Sequence, residues 1–411
     1  MRRIYTSIDI GSNEIKVVTI ENFNDRYNVL ASVCEKSAGV KKGLIVDAAL
    51  VSNAIKKAMQ NLEAKLGTKV NKVIAIIPSN NLEIHLANGM IELEKEDEII
   101  TGKEIFACLQ SSLQSNISKE LEVVTVSPVE YRIDDERKVK NPLGLVGKKL
   151  EVKTIVTTVP KKNVYSVVSI LQALNIEVMD VCTSSISDYY VSKTKELDAK
   201  VVAIVNIGKG KTNIGLFNKG AIIKDTIIPV GSSNIEDDIC FTYKVEKEQA
   251  VNIKEKFAVS NRKYADSSEV FECKNRLEET ISINQYKLAE LIETRIVDIL
   301  KNVKIEINNL TNREIGYIII TGGITSMTGF NAIVEDLFIK NVTVMNIGIL
   351  GIRDNKYSSA FGNVKYFTSK LDLREKDYTM FEDEKINEIL STRKKAVPSS
   401  VLGKVFDKIF D

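Results

Sequence analysis

Tyr5-Thr6-Ser7-Ile8-Asp9-Ile10-Gly11-Ser12-Asn13-Glu14-Ile15-Lys16-Val17-Val18-Thr19-Ile20 is an apolar β-run that delivers a carboxylate to a turn of small residues and leaves by a second alternating strand. The pattern returns as Val202-Ala203-Ile204-Val205-Asn206-Ile207-Gly208-Lys209-Gly210-Lys211-Thr212-Asn213-Ile214-Gly215-Leu216-Phe217. Period-2 patterning and turn chemistry make each stretch a hairpin. Glycine and serine let a chain approach an anion closely, so backbone N–H groups in such turns can cradle phosphate. Two copies predict two phosphate clamps that face each other.

Outward from these hairpins, both halves open alike. The first half continues through a polar turn at 22–26 to a strand at 27–33, the second through 218–220 to a strand at 221–228. A three-strand meander followed by helices and further strands predicts a ribonuclease-H-like α/β core, and its duplication predicts two lobes with a cleft between them. The expected organisation is a first lobe at 1–82 and 161–197, interrupted by an α+β insertion at 83–160. A second lobe at 198–368 includes a charge-rich helical subdomain at about 235–309. Residues 369–397 are charged with little periodic core and read as a flexible tether, and 398–411 read as an amphipathic helix.

The 411 residues exceed what one hydrophobic core organises. Lys plus Arg (57) against Asp plus Glu (55) leaves a formal charge of +2, which gives no bulk field for gathering nucleic acid, and none is expected as a partner. Met1-Arg2-Arg3 leads straight into a short strand without the apolar run of a secretory signal, and no stretch approaches a spanning helix, so cytoplasmic residence is expected. The five cysteines, Cys34, Cys108, Cys182, Cys240 and Cys273, are scattered and never form a C-x-x-C pair, which argues against disulfides or zinc. His85, the single histidine, sits in a strand-like run where a structural role is expected.

The order of parts resembles the actin and sugar-kinase ATPase superfamily. Residues 9–16 resemble its first phosphate motif and Asn206 to Thr212 its second. Ile318-Ile319-Ile320-Thr321-Gly322-Gly323-Ile324-Thr325-Ser326-Met327-Thr328-Gly329-Phe330 resembles the adenosine motif, and Ser359-Ala360-Phe361-Gly362-Asn363-Val364 the second connecting helix. Within the superfamily, Asn141-Pro142-Leu143-Gly144-Leu145-Val146-Gly147-Lys148-Lys149-Leu150-Glu151-Val152 is similar to the characteristic insertion of FtsA, the bacterial division family that ties FtsZ to the membrane.

The resemblance implies ATP and Mg²⁺ as cofactors. Asp9 would hold the metal, largely through water, since Mg²⁺ prefers oxygen ligands and keeps several waters. Gly11, Ser12 and Asn13 would present donors to the terminal phosphates, with Lys16 beside them. Asn206, Gly208, Lys209, Gly210, Lys211 and Thr212 would form the second clamp. Relatives usually carry aspartate at the position of Asn206, so the carboxylate that would bind metal or orient water is lost. Lys209 and Lys211 add positive charge in return, and nucleotide binding with weak or absent hydrolysis is expected. Lys254, Gly322, Gly323 and Ile324 would take the nucleoside. Val251 stands where relatives have a glutamate, so one ribose hydrogen bond, about 1 kcal/mol net, is expected to be missing.

At the C-terminus, Val401, Leu402, Val405, Phe406, Ile409 and Phe410 form one stripe on a 3.6-residue period, opposite Lys404, Asp407, Lys408 and Asp411. Ser399 or Ser400 caps the start. About 12 residues give a helix of roughly 18 Å, too short to span a bilayer and suited to its interface. One such helix anchors weakly, whereas an array on a polymer gains about 10²–10⁴-fold by avidity. The expectation is an actin-like protein that polymerises with itself at the cytoplasmic face of the division site. It would bind the FtsZ C-terminal peptide through the second-lobe subdomain and recruit other division proteins. The alternatives are another actin-like filament or pilus-assembly ATPase, and a sugar kinase of the same superfamily.

Overall fold

A computed structural model describes residues 2–93, 98–114, 117–135, 137–338 and 341–396. Two five-stranded sheets repeat one plan. In the first, the strands run in the order Glu177–Thr183, Lys72–Ile77, Arg3–Ile10, Glu14–Phe23, Arg26–Lys36. In the second, the order is Ala221–Ile228, Thr212–Asn218, Val201–Ile207, Tyr317–Thr321, Val342–Val344. Each sheet has its opening strand at the centre, antiparallel to the next strand in sequence and parallel to the fourth. Central strands must be apolar on both faces, and Ile4, Tyr5, Ile8, Val202, Ala203 and Val205 are all fully buried.

Each lobe has its own core. The first gathers the helix Ala48–Leu66 through Val51, Ile55, Met59 and Leu62. Asp47 caps this helix, and Gly67 closes it in the left-handed region at φ 76°. The second gathers the 26-residue helix Gln285–Leu310, whose buried Leu288, Ile292, Ile296, Ile299, Val303 and Ile307 recur every three or four residues.

Between Lys72–Ile77 and Glu177–Thr183 the chain leaves the first lobe. It builds a four-stranded antiparallel sheet in the order Arg137–Val139, Leu121–Ile133, Lys149–Pro160, Glu83–Glu92. The helix Gly102–Ser111 lies across it, opened by a Thr101/Glu104 capping box. A separate small core of Ile100, Ile105, Cys108, Tyr131, Leu150 and Val152 holds the two together. The lone histidine is structural here: His85 Nε2 lies 3.1 Å from the Thr158 hydroxyl.

Three boundaries differ from the sequence expectation. The subdomain at 235–309 is not all helix, because Val270–Lys274 and Thr280–Asn284 form a hairpin that turns through Glu278 at φ 60°. Its alternating Phe271, Cys273, Ile281 and Ile283 pack towards the second-lobe core, a period-2 signal hidden among charged neighbours. The helix Ser358–Leu373, expected in the second lobe, packs Phe361, Val364, Phe367 and Leu371 into the first-lobe core.

Most of the expected tether is folded as well. Met380 N–H donates to the Ile4 carbonyl at 3.0 Å, and Ile4 N–H to the Thr379 hydroxyl at 3.0 Å. The Tyr5 hydroxyl donates to the Tyr378 carbonyl at 2.9 Å. Phe381, Ile386 and Ile389 complete the first-lobe core, the last two from a helix at Asp383–Ala396. The apolar residues here are few, but Met380, Phe381, Ile386 and Ile389 all reach the core, while Glu382, Asp383 and Glu384 are exposed. The amphipathic helix at 398–411, with its six apolar residues, falls outside the described residues.

Candidate functional site

Both hairpin turns are closed by the same bond. Gly11 N–H donates to the Glu14 carbonyl and Gly208 N–H to the Lys211 carbonyl, each at 3.0 Å. Antiparallel register places Asp9 opposite Lys16 and Asn206 opposite Asn213, so each cross-strand pair shares a sheet face. The turns meet across a cleft of about 530 Å³, within the range of small-ligand pockets.

Fourteen of the fifteen residues expected to bind nucleotide line this cleft: Asp9, Gly11, Ser12, Asn13, Lys16, Asn206, Gly208, Lys209, Gly210, Lys211, Lys254, Gly322, Gly323 and Ile324. Thr212 does not. Its buried hydroxyl donates to the Val230 carbonyl at 2.8 Å, because strand alternation turns it away from its neighbour Lys211.

On the first turn, Lys16 Nζ lies 2.8 Å from Asp9 Oδ2, and both side chains are largely sequestered. Burial works against the Lys16 charge, but Asp9 outweighs it and the ammonium pKa is raised. Ser12 Oγ accepts from Gly43 N–H at 2.9 Å, which ties the turn to the loop before the first helix. On the second turn, Lys209 Nζ crosses the cleft to Asn13 Oδ1 at 2.7 Å. Lys211 Nζ donates to Asn80 Oδ1 at 3.3 Å, and burial pushes its pKa down to about 8.

Asn206 faces a carboxylate. Its Nδ2 donates to Asp188 Oδ2 at 2.7 Å, while the Ser358 and Ser359 hydroxyls donate to Asp188 Oδ1 at 2.7 and 2.9 Å. Desolvation raises Asp188 to about 6 despite these three donors. Its partners come from the second lobe and from the helix that crosses between the lobes, while Asp188 itself belongs to the first. The helix Ser184–Ser192, which carries Asp188, packs so closely on Ser358–Leu373 that a Cβ on Gly362 would stand 1.8 Å from the Ser187 carbonyl.

Beside the second turn, Gly322 adopts φ 106°, and an added Cβ would meet the Ile207 carbonyl at 2.3 Å. Only glycine lets the chain pass there. Val251, whose replacement of a carboxylate was expected to remove a ribose contact, lines a separate surface depression. Glu255 stands in the cleft beside Lys254 instead, so a carboxylate is present after all. Three further groups escaped the sequence reading. Lys356 and Asp354 come from an irregular loop with no motif. Glu236, with no exposed surface, collects Lys254 at 2.5 Å, Lys247 at 3.4 Å and Lys209 at 3.5 Å. No spacing in the sequence pairs these four residues.

The donor set fits a polyphosphate. Lysines project from both turns, and the backbone N–H groups of Gly-rich hairpins border them. It fits a protein-held divalent cation poorly. Asp9, the carboxylate of the first turn, is already paired with Lys16, and the opposing position is an amide engaged by Asp188. Among the described residues no group of three or more His, Cys, Asp or Glu side chains could hold a metal.

Two equivalent sheets, their shared strand order and the cleft between matching turns define an actin-like, two-lobed α/β protein. Solved structures agree on the fold. The PilM–PilN type IV pilus biogenesis complex superposes with a TM-score of 0.57 at 12% identity, over 87% of this chain and 96% of that one. MreB5 of Spiroplasma citri bound to ADP gives 0.54 at 11%, over 90% and 98%.

Sequence comparison narrows the class. Residues 79–158 match the family model described as "SHS2 domain inserted in FTSA", and residues 203–362 match that of "Cell division protein FtsA". The chain is 26% identical over 365 residues to the cell division protein FtsA of Bacillus subtilis, covering 88% of this chain and 83% of that one. It is 26% identical over 357 residues to that of Streptococcus pneumoniae, covering 86% and 78%. The chain belongs to the FtsA family of cell division proteins.

Proposed function

We propose that this protein is an ATP-binding, self-assembling scaffold of the division site that anchors FtsZ filaments at the cytoplasmic face of the membrane and recruits other division proteins. The observation that carries the nucleotide part is the apposition of the two hairpin turns, bridged by Lys209 and Asn13. A polyphosphate gripped by both turns is shared by both lobes, so it sets their relative orientation and with it the surfaces through which subunits stack. The neighbour MreB5, described as bound to ADP, supports a nucleotide in a cleft of this fold. Gly11, Ser12, Asn13, Lys16, Gly208, Lys209, Gly210 and Lys211 hold the phosphates in this reading. Lys254, Glu255, Gly322, Gly323 and Ile324 hold the nucleoside.

Turnover is not required. Asp188, the buried carboxylate that engages Asn206, does not line the cleft and is committed to Asn206, Ser358 and Ser359. That weighs against a sugar kinase, which needs a base aimed at a substrate hydroxyl.

No described helix is long and apolar enough to cross a membrane. Membrane contact is assigned to the C-terminal stripe Val401, Leu402, Val405, Phe406, Ile409 and Phe410. The FtsZ C-terminal peptide is assigned to the second-lobe subdomain. Liposome flotation with and without FtsZ tests the whole reading. The intact chain is expected to float and to carry FtsZ with it, and Phe406→Glu to remain at the bottom. Undiminished flotation of that variant would overturn the anchor, and flotation that leaves FtsZ behind would overturn the bridge.

A further inference from the structure

Resting on the nucleotide reading above, we infer that Lys209 and Lys211 take the place of the divalent cation, so that the cleft grips the nucleotide polyphosphate without requiring Mg²⁺. A metal between two phosphate-gripping turns has two duties: it neutralises part of the polyphosphate charge, and it bridges the two sides. Both duties are already met by ammonium groups here. Lys209 springs from the second turn and reaches Asn13 on the first at 2.7 Å, so its charge spans the gap. Lys211, two residues further, points into the same space. It donates to the neutral Asn80 amide at 3.3 Å and forms no direct ion pair among the described residues, while Asp225 and Asp9 act on its charge from further away. A partly buried ammonium without a paired carboxylate is a standing demand for an anion.

The acidic side of the ledger is short. Of the groups on the two turns and their flanking strand ends, Asp9 is balanced by Lys16 at 2.8 Å and Glu14 faces Lys356 at 3.7 Å. Asn206 brings an amide, whose Nδ2 is spent on Asp188. Glu236 restrains Lys209 only at 3.5 Å and is itself shared with Lys254 and Lys247. Among the residues lining the cleft around the two turns, Lys16, Lys209, Lys211 and Lys356 still outnumber Asp9 and Glu14 before any ligand arrives. A nucleotide triphosphate entering as the free anion would find its counter-charge built in.

The test is ATP binding to the full chain by titration calorimetry, in excess Mg²⁺ and in EDTA. Affinity in EDTA is expected within about threefold of that in Mg²⁺, and inorganic tripolyphosphate is expected to displace ATP in EDTA. Lys209→Gln and Lys211→Gln are each expected to lose at least tenfold in EDTA and much less in Mg²⁺, so that neutralising an ammonium makes binding metal-dependent. Lys209 is partly exposed and one of three lysines on Glu236, so Glu236 keeps two partners in its variant, and a thermal melt checks that both variants fold. A loss beyond thirtyfold in EDTA for the unmodified chain, with tight binding in Mg²⁺, overturns the inference and leaves the nucleotide reading standing. No binding under either condition overturns both.

Discussion

Glu236 gathers three ammonium groups while exposing none of its own surface, and a buried charge of this kind is costly to leave unbalanced. Removing one partner of a buried ionic cluster typically costs about 3–5 kcal/mol. Glu236→Ala is therefore expected to lower the melting temperature well beyond Glu246→Ala, whose partner Arg276 is exposed. It should also weaken ATP binding, since Lys209 and Lys254 lose their shared support; equal melting temperatures for the two variants would refute this.

Asp188 makes a second residue-scale prediction. Its folded pKa of about 6 lies above the ordinary 3.8 because burial disfavours its charge, so between these values the folded state holds a proton that the unfolded state has released. Stability from this group rises as pH falls from about 7 towards 5. Asp188→Asn should flatten that rise in a series of thermal melts. Gly322→Ala, which forces a Cβ to within 2.3 Å of the Ile207 carbonyl at φ 106°, should abolish ATP binding while leaving the inserted domain folded, as read by calorimetry and hydrogen exchange.

At the scale of elements, the C-terminal segment departs furthest from its expectation. Between Lys376 and Ile389 the composition is that of a solvated linker, yet Met380, Phe381, Ile386 and Ile389 are nearly fully buried. Truncation after Ala396 is expected to leave the melting temperature within a few degrees of the intact chain. Truncation after Leu373 removes those four core residues and the backbone bond to Ile4, and should unfold the first lobe; a cooperative melt of the shorter product would contradict the packing described.

The two cleft hairpins, by contrast, were readable from sequence because their identity rests on local facts: a buried strand, a glycine turn and a register of one residue against one. The same locality explains Thr212. It sits within the motif, but the alternation of the strand sends it to the opposite face. Glu236, Lys356 and the placement of the helix Ser358–Leu373 depend on how distant segments meet. Periodicity carries no information about such meetings, and Glu255, which adjoins Lys254 in the cleft lining, escaped because the expectation considered only position 251 of that helix.

At the scale of the whole molecule, the lobes are joined by a shared apolar cluster, in which Ile186 and Tyr189 meet Val202, Ile204 and Phe217, and by specific polar groups around the cleft. Lys209 meets Asn13, Lys211 meets Asn80, and Asp188 binds Asn206. A ligand held by both turns adds to these contacts. At a concentration of 100 Kd, ATP is expected to stabilise the folded chain by about 2.7 kcal/mol. Amide exchange should slow in both hairpins together, and protection confined to one lobe would contradict a shared grip.

The backbone bond from Met380 to Ile4 has a mechanical meaning. The central strand Arg3–Ile10 ends beside Asp9 at the mouth of the cleft, and the segment that leads out towards Ala396 is stitched to its opposite end. A pull exerted on residues past Ala396 would load the packed helix Asp383–Ala396 first and then, through the bond from Met380, the strand that ends at the cleft. The exit of the chain and the ligand cavity are thus two ends of a single taut rod.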